Sequence, residues 1–406
     1  MIELQEPESV GMCPVRLGRI AEHFDTYVAE AKIPGYLALV ARRGKVVYLH
    51  RHGSRSLEEI LPVEQDTIFR IYSMTKPISS VALMMLYERG LFQLDDPVSR
   101  FIPGFKDLEV FHSGNEENYE TRPVEREMRI RDLLTHTSGL TYAFMDNHPV
   151  DAMYRRHGVK GTGGEGTLQS MVKTLESIPL LFSPGTKWSY SVATDVCGHL
   201  IEQLSGQPLD EYLSNNIFGP LEMTDTAFFV EGENVSRFAN NYEKSDNGLR
   251  VIDWPPDSSF LRKPNLFSGG GGLTSTAADY FRFCLMLLNN GELDGHRLLG
   301  RKTVELMTTN NLPGHADLAA MDQAVFSETP YDGIGFGLGF SVVLDPTATN
   351  SLASKGEYGW GGAASTVFWI DPKEETVVIF LTQFMPSSTY PIRRELRALV
   401  NQAIIE

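Results

Sequence analysis

Cysteine is scarce in this chain: Cys13, Cys197 and Cys284 are all that 406 residues contain, with no C-x-x-C and no histidine cluster beside them. Neither a disulfide framework nor a cysteine-built zinc site is expected, and Cys197 and Cys284 read as buried packing residues in apolar helices. Long apolar runs are also missing. Stretches such as 81–86 and 377–381 are far too short to span a bilayer. The opening Met1-Ile2-Glu3-Leu4-Gln5-Glu6 is acidic, without the basic and then apolar regions of a secretory signal, so a cytoplasmic protein is expected. Basic residues are in deficit, 36 Lys and Arg against 52 Asp and Glu, for a formal charge of −16. That argues against nucleic acid or an anionic membrane as partner and favours small, weakly charged molecules. The G-x-S-x-G elbow, a phosphate-binding glycine loop, internal repeats and low-complexity tracts are absent as well.

What is present begins with Ser73-Met74-Thr75-Lys76. A hydroxyl and an amine three residues apart at a helix start lie on one face, within reach of each other. Serine becomes a nucleophile when a neighbour takes its proton, and lysine can do so only where its surroundings keep it neutral. The bland alternative is a helix cap at Ser73 with a solvated Lys76. Pro77 is tolerated in a first helical turn, where its missing N–H costs little.

The chain at 42% hydrophobic can bury a large core. Leu17, Ile20, Phe24 and Val28 recur at helical spacing over 14–31, and two β-rich runs, 36–41 and 45–49, flank Arg43-Gly44 as a hairpin. A helix is expected from Ile78 to Arg89, stopping at Gly90. The middle, about 91–265, mixes loops with helices at 129–135, 166–178, 193–205 and 208–215, and further helices follow at 277–289 and 300–308. Strand character returns at 336–343, and 365–370 with 376–382 forms a second hairpin before a final helix at 391–404. This order predicts one α+β unit over 1–406, with a sheet subdomain from 1–75 plus 290–406 and a mainly helical subdomain over 76–289.

Two more segments join the first. Tyr190 stands in Trp188-Ser189-Tyr190-Ser191-Val192, just before a helix, and Gly359-Trp360-Gly361-Gly362-Ala363 precedes a strand, where small residues let backbone approach a ligand. With Leu94-Asp95-Asp96-Pro97-Val98, Leu133 to Leu140 (L-L-T-H-T-S-G-L) and Ser268 to Leu273 (S-G-G-G-G-L), the chain resembles the serine-reactive β-lactamase/penicillin-binding superfamily over about 12–400. Within it, the class C β-lactamase branch that holds the family VIII carboxylesterases is the nearest match. The resemblance implies a β-lactamase/transpeptidase-like fold: an antiparallel sheet assembled from both termini, flanked by helices, with a large helical insertion.

It also implies roles. Ser73 would attack the substrate carbonyl and carry the acyl group. Lys76 and Tyr190 would handle its proton, either the lysine or a tyrosinate being the base. The Ser73 and Ala363 amides would form the oxyanion hole, and no cofactor or metal is implied. Two departures point to substrate. Val192 stands where the β-lactamase tyrosine motif has an asparagine, and Trp360-Gly361-Gly362 replaces K-T-G. A site built for an acidic amide would lose polar contacts by these changes, whereas an apolar ester loses nothing. A carboxylesterase acting on small esters is therefore the expectation, with Trp360, Gly361, Gly362, Val192 and Tyr142 as substrate-binding residues. A β-lactamase, a D-aminopeptidase or D,D-peptidase, an acyltransferase and a non-catalytic binder are the alternatives.

Other residues receive blander readings. His136 is expected to cap a helix or brace a loop, and Ser138 to bond backbone in the same turn. Asp195 reads as an acidic residue favoured at a helix N-terminus. Phe144, Trp254, Phe260 and Phe267 join Tyr142 in the irregular middle as candidate pocket walls.

Overall fold

Pro14 opens helix α1 (Pro14–Ala29), whose Leu17, Ile20, Phe24 and Tyr27 recur at helical spacing on its buried face. The chain then runs out as β1 (Gly35–Arg42), turns through Arg43 and Gly44, both at positive φ, and returns as β2 (Lys45–Ser56). A two-residue turn of that hand matches the twist of paired strands. The structure is a computed structural model that describes residues 2–246, 248–255, 257–321 and 331–406.

The rest of the main sheet is β3 (Leu61–Pro62) and, from the far end of the chain, β4 (Ile334–Phe336), β5 (Ser341–Val343), β6 (Tyr358–Gly361), β7 (Val367–Asp371) and β8 (Thr376–Thr382). The eight strands lie in the order β4-β5-β6-β7-β8-β1-β2-β3, every neighbouring pair antiparallel. β1 pairs with β8 from Tyr36 opposite Thr382 to Arg42 opposite Thr376, so the sheet closes the two ends of the sequence on each other.

All of β1 is buried, because both faces of the sheet are covered. Leu37 and Leu39 face the helical body, with helices α2 (Thr75–Glu88), α3 (Ala193–Ser205) and α4 (Ala277–Leu288) in the same core. Tyr36, Ala38 and Val40 face the other way, toward α1 and the last helix α5 (Ile392–Asn401). The result is the α+β, β-lactamase/transpeptidase-like architecture expected from the sequence. Helix α2 runs through the middle with Thr75 to Met84 buried throughout, which fixes its N-terminal end in space.

Two local expectations change. The alternating run 336–343 is not one strand: Gly337 to Phe340 turns between β4 and β5, with Gly339 at φ +95° pressed so close to Ser80 that a Cβ would lie 2.2 Å from its Oγ. Two hairpins, 109–123 and 241–253, stand where only loops and helices were expected. The first is mostly exposed and polar, and in the strands of the second only Asn241 and Tyr242 are fully buried, so neither offers a run of buried apolar positions to mark it in the sequence.

Candidate active site

Ser73 lies in a short turn of 3-10 helix, Tyr72–Met74, that joins a two-residue strand at Phe69–Arg70 to α2. Tyr72 has φ +42°, a strained value for a bulky residue, and that turn swings the chain sharply out of the strand. The strain is held from both sides. Arg70 is fully buried, bonded to both oxygens of Asp253 at 2.9 and 2.7 Å, and the Tyr72 hydroxyl takes a bond from Asn241 Nδ2 at 3.1 Å. Beyond Ser73, the Tyr280 hydroxyl donates to the Met74 carbonyl at 2.9 Å and Leu273 N–H to Thr75 Oγ1 at 3.1 Å.

Lys76 follows one turn later and is 2% exposed. Its Nζ donates to the Gly270 carbonyl at 2.6 Å and to Tyr142 Oη at 2.9 Å, and lies 4.5 Å from the centre of the Tyr190 ring. The solvated lysine of the bland reading is thereby excluded. Burial, with the nearby Tyr190 and Asp195, holds the Tyr142 phenol well above its ordinary range, so Tyr142 stays neutral.

The Gly270 carbonyl is placed by Asp195. Asp195 Oδ1 accepts from Ser268 Oγ at 2.6 Å and from Gly270 N–H at 3.1 Å. A Cβ on Gly270 would lie 2.6 Å from Asp195 Oδ2 and 3.0 Å from Tyr142 Oη, so the loop fits between them only as glycine. Burial pushes the Asp195 carboxyl up, against the Ser268 hydrogen bond and the charge of Lys76. Its work here is to clamp the glycine loop, a larger task than the helix-dipole role read from the sequence.

His136 braces a loop, as expected. Its ring packs on Tyr190 at 5.1 Å, Trp188 at 5.9 Å and Phe336 at 5.5 Å, with Nδ1 3.1 Å from Ser191 Oγ. Its carbonyl takes the Ser189 N–H at 2.9 Å, which ties it to the segment carrying Tyr190. Burial, and then the charge of Lys76, lowers its pKa well below the ordinary value, so the imidazole is neutral.

The fourth wall is the end of β6. The Trp360 indole N–H points at Tyr190 Oη at 3.4 Å, a long contact. At Gly362 a Cβ would meet Thr366 Oγ1 at 2.2 Å and the Ile71 carbonyl at 2.5 Å, so glycine is what lets this segment run against the chain that carries Ser73. Arg393 of α5 supports the same segment, its Nη2 donating to the Gly362 carbonyl at 3.0 Å and that of Thr366 at 3.3 Å.

These pieces enclose a cavity of about 380 Å³ lined by Ser73, Tyr190, Trp360, Gly361, Gly362 and Ala363, with Phe144, Tyr331, Met385, Pro386, Ser387 and Arg393. Ser73, Tyr190, Ala363 and the W-G-G residues are thus brought together, with Lys76 directly behind Tyr190. Two substrate-binding expectations change. Val192 is fully buried at the start of α3 and does not line the cavity. Tyr142 stands behind the cavity as a hydrogen-bond partner of Lys76, while Phe144, stacked on it at 4.6 Å, provides the wall. Sequence reasoning missed the roles of Gly270 and Arg393, since the glycine motif does not say which carbonyl meets Lys76 and a helix arginine carries no motif.

The chain matches the family model described as Beta-lactamase over residues 20–402. Esterase EstB of Burkholderia gladioli is 31% identical over 389 residues, covering 90% of this chain and 89% of its own. Monacolin J acid methylbutanoyltransferase of Aspergillus terreus is 28% identical over 403 residues, 94% of each chain. Among solved structures, EstCE1, described as a hydrolase with promiscuous acyltransferase activity, superposes with a TM-score of 0.78 at 26% identity, covering 97% of this chain and 98% of its own.

Proposed function

Since the chain belongs to the beta-lactamase family, as a serine hydrolase or acyltransferase of that fold, we propose that it is a carboxylesterase that cleaves small esters through an acyl-enzyme on Ser73. The observation that carries this reading is Lys76, buried beside Tyr190 and held by two neutral oxygens. A neutral amine has two N–H donors and one lone pair, and Tyr142 and the Gly270 carbonyl take the two donors. The lone pair is left to accept the Ser73 proton, directly or through Tyr190. The Ser73 proton passes to this pair as Oγ attacks the ester carbonyl, and returns to the departing alcohol. Water then repeats the attack on the acyl-enzyme. The Ser73 and Ala363 amides hold the oxyanion, a contribution worth about 3 kcal/mol per donor.

Small, weakly polar esters are the proposed substrates because Trp360, Phe144, Met385 and Pro386 wall the cavity. A cytoplasmic location, with no nucleic acid or membrane as partner, fits the acidic balance and the three free cysteines. Among the described residues no helix is long and apolar enough to cross a membrane. Acyl transfer is the second reading, favoured by the two relatives whose names carry that activity.

Turnover of a short-chain p-nitrophenyl ester, measured beside nitrocefin and with and without an added alcohol, separates these readings. The proposal expects ester turnover well above nitrocefin turnover, lost in Ser73→Ala. Preferential nitrocefin cleavage would replace it with a β-lactamase. Product diverted mainly to the added alcohol would replace it with a transferase.

A further inference from the structure

On the opposite side of the sheet, α1 and β2 bring together three groups that share no residue with the cavity. We propose that Asp25, His50 and His52 form a binding site for a borderline divalent cation, zinc foremost. Alternate residues of a strand project on one face, so His50 and His52 point the same way. Both face α1, since they pair with Ala38 and Tyr36 of β1, whose side chains pack on that helix. Their rings lie nearly parallel, 15° apart, with centres 6.3 Å from each other.

Asp25 of α1 completes the set. Its Oδ1 is 3.0 Å from His50 Nε2, and one ligand atom from each of the three residues lies within 4.8 Å of the other two. Zinc takes nitrogen and oxygen ligands at about 2.0–2.2 Å in tetrahedral geometry, so two atoms on one ion stand about 3.3–3.6 Å apart. His52 is exposed, so turning its side chain about its χ angles can draw the three ligand atoms together. The carboxylate is already oriented: the buried Tyr36 phenol donates to Asp25 Oδ1 at 2.8 Å, the outer-shell bond that metal-ligating carboxylates typically have. Two imidazoles and one carboxylate select zinc and its transition-metal neighbours over calcium or magnesium, and leave a coordination position for water. Because Asp25 belongs to a helix and the histidines to a strand, a bound ion clamps α1 to the sheet and stabilises the folded chain by mass action.

The test is titration of chelator-stripped full-length protein with Zn²⁺ by calorimetry, and with Co²⁺ by its visible d–d absorption. One ion per chain is expected, with a rise in Tm on adding Zn²⁺. His52→Ala, at an exposed position, should weaken binding by at least the about 10–100-fold that losing an outer-shell partner costs, and Tyr36→Phe should fall within that range. Hydrolysis by metal-free His52→Ala should equal that of metal-free wild type. Absence of Zn²⁺ binding, or binding and a Tm rise that survive in both His52→Ala and His50→Ala/His52→Ala, would overturn the proposal.

Discussion

Asp195 and His136 show how little of a residue's task is written beside it. Asp195 lies five positions after Tyr190 at the start of a helix, and nothing local says that its carboxylate grips a loop 75 residues further on. Truncation to alanine leaves the Gly270 N–H and Ser268 hydroxyl without their acceptor, at about 1–3 kcal/mol for each buried group. The loop then no longer fixes the carbonyl that receives Lys76. Asp195→Ala should therefore lower both Tm and kcat, the latter about a hundredfold, with KM little changed. Steady-state kinetics on the folded variant decide this, and an unaltered kcat would refute the clamp.

His136 gives a pH signature. An unfolded histidine titrates near about 6.5, whereas burial and Lys76 keep the folded imidazole neutral well below that value. Between the two values the unfolded chain binds a proton that the folded chain does not. Stability contributed by this group is thus complete above about pH 6.5 and falls as the solution is acidified, by up to roughly 1.4 kcal/mol per pH unit. His136→Asn should flatten the decline of Tm with acidification below about pH 6.5. Parallel slopes in wild type and variant would mean that His136 is not held neutral.

At the scale of elements, legibility follows burial. β1, β7, β8 and the 45–49 part of β2 could be read because they are apolar runs bounded by turn residues, whereas the polar continuation of β2 to Ser56 could not. Helices α1 and α4 were legible because their buried positions keep helical spacing, and α3 as an apolar run buried from Ala193 to Ile201. The hairpins at 109–123 and 241–253 could not be read, because strands with so few buried apolar positions have no such pattern. The split of 336–343 into two strands was hidden for another reason: Gly339 turns there to make room for α2, a contact between distant segments. S-x-x-K and W-G-G were legible as motifs, but their meeting depends on β6 running alongside the Ile71 carbonyl. Gly362→Ala tests that approach directly. The added methyl would strike Thr366 Oγ1 and Ile71 O, so β6 must shift away and carry the Ala363 amide with it. A loss of about 10²–10³ in kcat is expected if that amide holds the oxyanion. A variant with full kcat would remove Ala363 from the proposed oxyanion hole.

For the molecule as a whole, a sheet shared by both ends of the chain serves as the platform, with one core under α1 and α5 and a larger one around α2. The hydroxyl and amine of S-x-x-K, the phenol of Tyr190 and the glycine strand come from three separate stretches of sequence, each carried on or beside an element anchored in the core. Such a site is preorganised before substrate arrives, which is where most catalytic stabilisation originates. The central claim is that this assembly makes Ser73 the atom that carries the acyl group. Its most direct test is intact mass followed by peptide mapping after reaction with a fluorophosphonate. The account predicts a single adduct per chain, located on Ser73, formed far more slowly in Tyr190→Phe and Lys76→Ala. An adduct on any other residue, or an unmodified Ser73 in protein that still hydrolyses esters, would contradict it.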